Sequence, residues 1–582
     1  MTALLIGLTI GLAWFGALTV WLVGDARPRL QHILASVFAA GAGCASIALL
    51  FRAGADPVLR IPLGGSFGDL TMVPDGLGVF LTAVAAVIGA LVVVFSAEYM
   101  RGEAELGRYY ALVLLFIGAM CGLVLTGSML VMFICWEITA FCSYALISFH
   151  NDDPKAVAGG IKALIMTQLG GVGLLAGALL GYAYFGDYEI STFLARAPGL
   201  PPTVLALAAY GALIAAAAKS AQVPFHTWLP DAMQAPTPVT ALIHAATMVN
   251  AGVYLLARFF PAFQSVPGWS TAVVIVGLLT ALLAGCMALV AVDLKRALAY
   301  STVSQLGYMV YAVGAGGVFA SQFHLMSHSL FKALLFLAAG TVIHAARTRD
   351  MRKMGGLARE MPFVRTVFVV GFLGLAGIPI ANGFLSKELV LESGLVHGPR
   401  WAFWIMVLTA GLTALYGLRM LTLVFAGKRR DPAHLHDPGP AMRVPLAALA
   451  LGTLSTWALA GPFSGLLERT LPHHDLHAQG TSQWAQEVLA APVTWAVMAV
   501  VLAGLGLWWL RSRMEPITRT PLPLARALGA GLGFDYLNDR FAAATLGAAS
   551  GLRRLQTGQL SWNVMGMLLA LVALLAALLL WG

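Results

Sequence analysis

From its first residues to its last, the chain alternates apolar runs of about twenty residues with short polar connections, and no other feature restricts its fold so tightly. A run of that length crosses the roughly 30 Å hydrocarbon layer as a helix, the form in which a single segment satisfies its own backbone in lipid. Counting the runs bounded by charge, Gly or Pro predicts about sixteen transmembrane helices. The expected fold class is an all-α polytopic membrane protein. Composition agrees, with 59% of the 582 residues hydrophobic and 10% charged, against roughly 25% charged in soluble domains. Met1 to Val23 lacks a basic leader region and reads as the first helix, not as a cleaved signal.

The connections carry the orientation. Basic residues gather in alternate ones, at Arg27 and Arg29, Arg101 and Arg108, Lys155, Lys295 and Arg296, Arg347 to Arg359, Lys428 to Arg443, and Arg511 to Arg519. The positive-inside rule makes these cytoplasmic and places both termini outside. The net charge of +9 thus reflects topology, and nothing in it calls for nucleic acid. The five cysteines all lie in apolar segments without a C-x-x-C pair and read as buried small hydrophobes, with neither a metal nor a disulfide role. With no cofactor signature and no phosphate loop, the energy for any work is expected from an ion gradient or a partner.

One stretch, Ala215 to Arg258, breaks the apolar pattern. Lys219 follows a run of alanines, Pro224, Pro230 and Pro236 interrupt the backbone, and Pro238 restarts a helix that carries His244 at mid-depth. A charge beside a broken helix in lipid marks an ion-transfer site. Lys387 repeats the pattern five spans later, just after Pro379, Asn382 and Gly383. Two broken spans so spaced predict two inverted five-helix repeats. The expected divisions are 1–108 (N-terminal helices), 109–262 and 263–426 (the two repeats), 427–514 (additional helices), 515–560 (an amphipathic, lateral segment) and 561–582 (a final helix).

Other ionisable residues fall inside predicted spans. Glu137 stands alone in VMFICWEITAFCSYALISF, and its natural partner is Lys219, whose charge offsets the cost of desolvation. Such a pair acts as a switch: associated, the lysine keeps its proton; separated, it releases it. His324, His328 and Lys332 recur every four residues along one helix face, about 12 Å long, and read as a proton wire. Zinc would need a third ligand beside the two histidines, and Lys332 would repel it. Glu388 points about 100° away from Lys387 and is expected to face another helix. Asp293, Lys295 and Arg296 read as a solvated cytoplasmic helix end.

WEITAFCSYALISF, VPFHTWLPDAMQAPTPVTALIHAATMVNAGVYLLAR, DLKRALAYSTVSQLGYM, HLMSHSLFKALLFLAAGTVIHA and NGFLSKE resemble the antiporter-like membrane subunits shared by respiratory complex I, membrane-bound hydrogenases and Mrp-type cation/proton antiporters. The resemblance implies a proton path through Glu137, Lys219, His244, His324, His328, Lys332 and Lys387, with Glu388 beside the last. It also implies a place among other membrane subunits in a bacterial inner membrane. NGFLSKE, TRDMRKMGGL and LQTGQLSW look like the large A subunit of Mrp antiporters, which exchange Na⁺ for H⁺. LPDAM, ALIHAATMV and the overall length look like the largest antiporter-like subunit of complex I. Asn250 departs from the Mrp pattern, where a lysine is expected, as does the absence of a long extra C-terminal domain. The three candidate settings are a Na⁺/H⁺ antiporter, a redox-driven translocase, and an inorganic-carbon uptake complex with a soluble partner.

Overall fold

The structure, a computed structural model, describes residues 1–64, 67–428, 437–510 and 523–555. Helices α1 (Thr2–Val23) and α2 (Pro28–Leu50) pair side by side, and a hairpin of β1 (Leu59–Pro62) and β2 (Asp69–Met72) follows, with Leu59 opposite Met72. Helices α3 (Gly76–Tyr99), α4 (Leu106–Leu125), α5 (Met129–Ile147) and α6 (Pro154–Phe185) come next, and the short α7 (Ile190–Arg196) leads to α8 (Pro202–Lys219). A broken stretch holds the single turn α9 (Trp228–Asp231), after which α10 (Thr237–Ala245) and α11 (Met248–Phe263) form a split span. Next come α12 (Trp269–Val290), α13 (Leu294–Gly314), α14 (Val318–Ala346), the split pair α15 (Pro362–Ala376) and α16 (Asn382–His397), and α17 (Arg400–Phe425). The unit closes with α18 (Pro440–Ser455), α19 (Ala460–Thr470), α20 (Thr481–Ala490), α21 (Pro492–Trp509) and α22 (Pro523–Gly529).

Thirteen helical stretches among the described residues are long and apolar enough to cross a membrane. Two further predicted spans have more polar or broken helices, namely α13, with its Lys, Arg, Ser and Gln residues, and the α15–α16 pair. The chain is thus an integral multi-pass membrane protein, and the hairpin is its one departure from helix among the named elements. A second unit begins at Gly533 and holds α23 (Phe534–Leu555), where Leu537, Phe541 and Leu552 alternate with Asp535, Asp539 and Arg540 in the expected amphipathic form. The predicted final helix, 561–582, and residues 515–522 and 556–560 of the predicted lateral segment lie outside the described residues.

Local chemistry sets the helix ends. Proline opens α2, α6, α8, α15, α18 and α21, where a missing N–H removes no helical bond. Asp75, Asp153 and Asp293 cap α3, α6 and α13 by accepting from backbone N–H groups. Small residues let helices approach closely: a Cβ at Gly277 of α12 would stand 2.4 Å from the Tyr311 nitrogen of α13. The split span α10–α11 lies at the centre, with every residue from Thr237 to Phe259 buried. At the rim, Phe15 and Trp21 of α1 turn outward, as lipid-facing side chains do. The cysteines form no disulfide.

Candidate functional site

Both predicted breaks are present, and each brings a lysine to a helix end. Helix α8 stops at Lys219, where the Trp228 indole donates to the Ala218 carbonyl at 3.0 Å and the Gln222 amide to that of Ala217 at 2.7 Å. Lys219 is completely buried and donates from Nζ to the Trp136 carbonyl of α5 at 2.7 Å, 4.8 Å from that indole ring. At the second break, Gly377 ends α15 at φ 72° and α16 starts at Asn382. Lys387 reaches back across this gap, donating to the Leu375 carbonyl at 2.7 Å, with the Tyr308 ring 5.7 Å away. Helix-end carbonyls carry partial negative charge and suit a cation.

Glu137 follows Trp136 on α5, but its carboxylate makes no ion pair with Lys219 within 4 Å; both its oxygens are buried without a hydrogen-bond partner. The Gln168 amide and the Lys219 ammonium are the polar groups that act on it. Gly171 of α6 leaves it room, since a Cβ there would stand 2.4 Å from Oε1. The structure therefore brings Glu137 and Lys219 to neighbouring positions without joining them.

The central row divides differently from the expected wire. His324, His328 and Lys332 share the buried face of α14, but only two of them reach polar partners. Lys332 Nζ donates to the Leu298 carbonyl at 3.2 Å and to the Ser301 hydroxyl, both on α13. His324 bridges Gln305 of α13, at 3.2 Å from Nε2, and Ser386 of α16, at 3.0 Å from Nδ1. His328 has neither ring nitrogen bonded and lies edge-on to Phe331, and His244 is likewise unbonded, 4.7 Å from the Phe336 ring. Two separate polar links therefore lie between Lys332 and Lys387, Lys332–Ser301 and Gln305–His324–Ser386, with the Tyr416 hydroxyl buried near Ser301 and Gln305 but bonded to neither. Glu388 meets Thr494 of α21, another helix, while remaining close enough to Lys387 for the two charges to act on each other.

Sequence reasoning missed Ser301, Gln305, Ser386 and Tyr416; the four-residue spacing of Ser301 and Gln305 on the polar α13 was a signal that could have found two of them. It also misplaced Lys295. That residue is 1% exposed and donates to the Ala235 carbonyl at 2.7 Å, so it ties α13 to the end of the broken stretch and is not solvated. Asp293 does cap the helix and Arg296 is partly exposed, as a helix end would have them. Among the described residues no group of three or more His, Cys, Asp or Glu side chains could hold a metal ion.

Residues 126–413 match the family described as NADH:quinone oxidoreductase/Mrp antiporter, TM. The chain is 39% identical to NADH-quinone oxidoreductase subunit L of Escherichia coli (strain K12), over 84% of this chain and 81% of that one. It is 36% identical to F(420)H(2) dehydrogenase subunit L of Methanosarcina mazei, over 78% and 75%. Its backbone superposes on a chain of the Mrp complex from Dietzia sp. DQ12-45-1b with a TM-score of 0.82 and 29% identity, covering 100% of this chain and 63% of that one.

Proposed function

We infer function from one premise: this chain belongs to the family of antiporter-like membrane subunits shared by NADH:quinone oxidoreductases and Mrp antiporters. It is a proton-translocating membrane subunit of a multisubunit complex, working among other membrane subunits. The observation that supports this most is the set of three lysines buried at a helix break or in mid-helix, Lys219, Lys332 and Lys387, each held by neutral oxygens and none joined to a carboxylate; Lys295, held likewise by the Ala235 carbonyl, lies in the first turn of α13. Such an amine keeps its hydrogen bond whether it carries two protons or three, so a proton can leave without dismantling the site.

Glu137 next to Lys219 serves as the switch, His244, the Lys332–Ser301 link and the Gln305–His324–Ser386 link relay the proton, and Lys387 with Glu388 forms the far end. The breaks in α8–α11 and α15–α16, five spans apart, are the matching parts of two inverted repeats. By the positive-inside rule the face bearing the β-hairpin is outside, as are both termini, in a bacterial inner membrane.

A cation/proton antiporter that exchanges Na⁺ is the first setting, supported by the superposition along the whole chain on an Mrp subunit. The chain spans only 63% of that subunit's length, whereas it covers 81% of the E. coli quinone oxidoreductase subunit, which favours a redox-driven translocase as the second setting. Proton flux in proteoliposomes of the native complex distinguishes them. A pH-sensitive dye that responds to Na⁺ alone supports the antiporter, and one that responds only to a reduced donor supports the redox pump. No response to either overturns both.

A further inference from the structure

On the face opposite the β-hairpin, away from the lysine series, the α1–α2 and α3–α4 turns enclose a cavity of about 720 Å³, within the size range of sites that take small ligands. The positive-inside rule makes this side cytoplasmic. Arg29 of α2 and Arg101, just past the end of α3, line the cavity, and both are exposed. Among the described residues neither guanidinium has an ion-pair or hydrogen-bond partner. The carboxylates of the cavity are engaged elsewhere. Asp25 Oδ1 accepts from the Gln31 side chain at 3.2 Å and from the Gly107 nitrogen at 2.8 Å, Glu105 pairs with Arg108 at 2.7 Å, and Glu103 lies 3.4 Å from His150 Nε2.

His32 is a third group on the wall. Its Nδ1 lies 2.7 Å from the buried Tyr110 hydroxyl, which fixes the ring and leaves Nε2 unbonded. Arg101 is the one charge that acts on this ring, so the positive side of the cavity is the side that His32 shares. Residues 24–32 and 100–108 together hold four arginines (Arg27, Arg29, Arg101 and Arg108) against the three carboxylates, and the surplus charge sits on the two unpartnered guanidinium groups.

Toward the membrane, two outward faces lead away from the cavity. On α2, Arg29 is followed by Ile33, Val37, Ala40 and Cys44, all exposed and spaced three or four residues apart. On α3, Arg101 is preceded by Ala97, Val94, Ala90 and Val87, half-buried and spaced the same way. Each face is about 20 Å long, more than the depth of hydrocarbon in one leaflet. The two lie side by side where the helices touch, since a Cβ at Gly43 of α2 would stand 3.7 Å from the Ala90 Cβ and 3.8 Å from the Val87 Cα.

We propose that this is a binding site for one anionic phospholipid, with Arg29, Arg101 and His32 Nε2 holding the phosphate and the acyl chains lying along the Ile33–Cys44 and Val87–Ala97 faces. Charge and apolar surface meet here as they do in such a lipid, with the cations at the membrane surface and unbroken apolar faces beneath them. A zwitterionic lipid would bring its own cation to guanidinium groups that already lack an anion, and the cytoplasmic leaflet is where anionic lipids are plentiful. Each basic residue near the surface favours the anion about fivefold, and the pair together about 30-fold. The site shares no residue with the proton path and does not depend on it.

The test uses the native complex in phosphatidylcholine membranes, with a trace of phosphatidylglycerol carrying a photoreactive diazirine in one acyl chain, or of phosphatidylcholine carrying the same group. After illumination, labelled peptides are located by mass spectrometry. The phosphatidylglycerol probe should label residues 33–44 and 87–97 about 30-fold more than the phosphatidylcholine probe. Arg29→Gln and Arg101→Gln should each cut that labelling about fivefold, and the double variant should reduce it to the phosphatidylcholine level. Excess inorganic phosphate should leave it in place, because the acyl chains contribute to binding. Equal labelling by the two probes, or wild-type labelling of the assembled double variant, overturns the proposal. Displacement by phosphate assigns the cavity to a soluble anion and overturns the lipid, and no labelling of either segment by either probe means that a neighbouring subunit covers the face and overturns it too. Should the double variant not assemble, the comparison of the two probes on wild type decides alone.

Discussion

Gly383→Ala puts the geometry of the second break to a quantitative test. A Cβ at Gly383 would stand 1.8 Å from the Gly374 carbonyl oxygen and 2.7 Å from its carbon, with no open space to turn into. Because Cβ contacts below 3.0 Å essentially do not occur, α15 and α16 must part by about 1.2 Å. Lys387 rides on α16 and its acceptor, Leu375, is the residue after Gly374 on α15, so the 2.7 Å hydrogen bond stretches past bonding range. Losing a charge-assisted hydrogen bond costs about 1.5–3 kcal/mol, and the overpacking about 1–3 kcal/mol more. If only the first falls on proton transfer, the rate drops roughly 10- to 100-fold. Proton flux in proteoliposomes, normalised to assembled complex, reads this directly. Gly7→Ala, which meets nothing within 4 Å, is the control and should leave flux unchanged. An assembled Gly383→Ala complex pumping at the wild-type rate would refute the contact between the break and Lys387.

Three further outcomes follow from single contacts. Ser386→Ala removes the link between His324 and the Lys387 helix, and proton flux should fall about tenfold or more with assembly intact. Trp228→Phe strips the donor from the Ala218 carbonyl beside Lys219 and leaves a smaller ring at a fully buried site; thermal unfolding of the purified complex should register a loss of more than about 1 kcal/mol, the hydrogen bond and the cavity together. Burial holds His474 at about 4 in the folded chain against an ordinary 6.5. Between those values the unfolded form binds more protons, so the docking of the segment after α19 is at full strength above 6.5 and weakens by about 3 kcal/mol as the pH falls to 4. Hydrogen exchange of residues 471–480 should show this loosening in wild type and lose its pH dependence in His474→Gln.

Much of this was legible in the sequence because lipid allows few solutions. Long apolar runs give helices, prolines beside a buried lysine give the breaks at Lys219 and Lys387, and a four-residue period gives the shared face of His324, His328 and Lys332. Contacts between distant segments were not legible. Asp75 and Arg258, a buried ion pair, are 183 residues apart, and Ser386 meets His324 only because two helices cross there. Lys295 follows a capping aspartate and precedes a partly exposed arginine, so its burial depends on where the broken stretch returns. The split between α10 and α11 lacks the proline that marked the others. Thr247 leaves helical geometry there, and its hydroxyl and the Asn250 amide donate to the Leu242 and Ala245 carbonyls at 2.9 and 2.8 Å, taking up groups the break releases.

The central claim is that protons cross this chain through its buried lysines, beginning at the first break. The most direct measurement is proton flux through proteoliposomes of the native complex carrying Lys219→Ala, driven first by Na⁺ and then by a reduced donor, with assembly verified by subunit content. The Lys219→Ala complex should assemble fully and move no protons under either drive. An assembled complex that still translocates protons would contradict the claim.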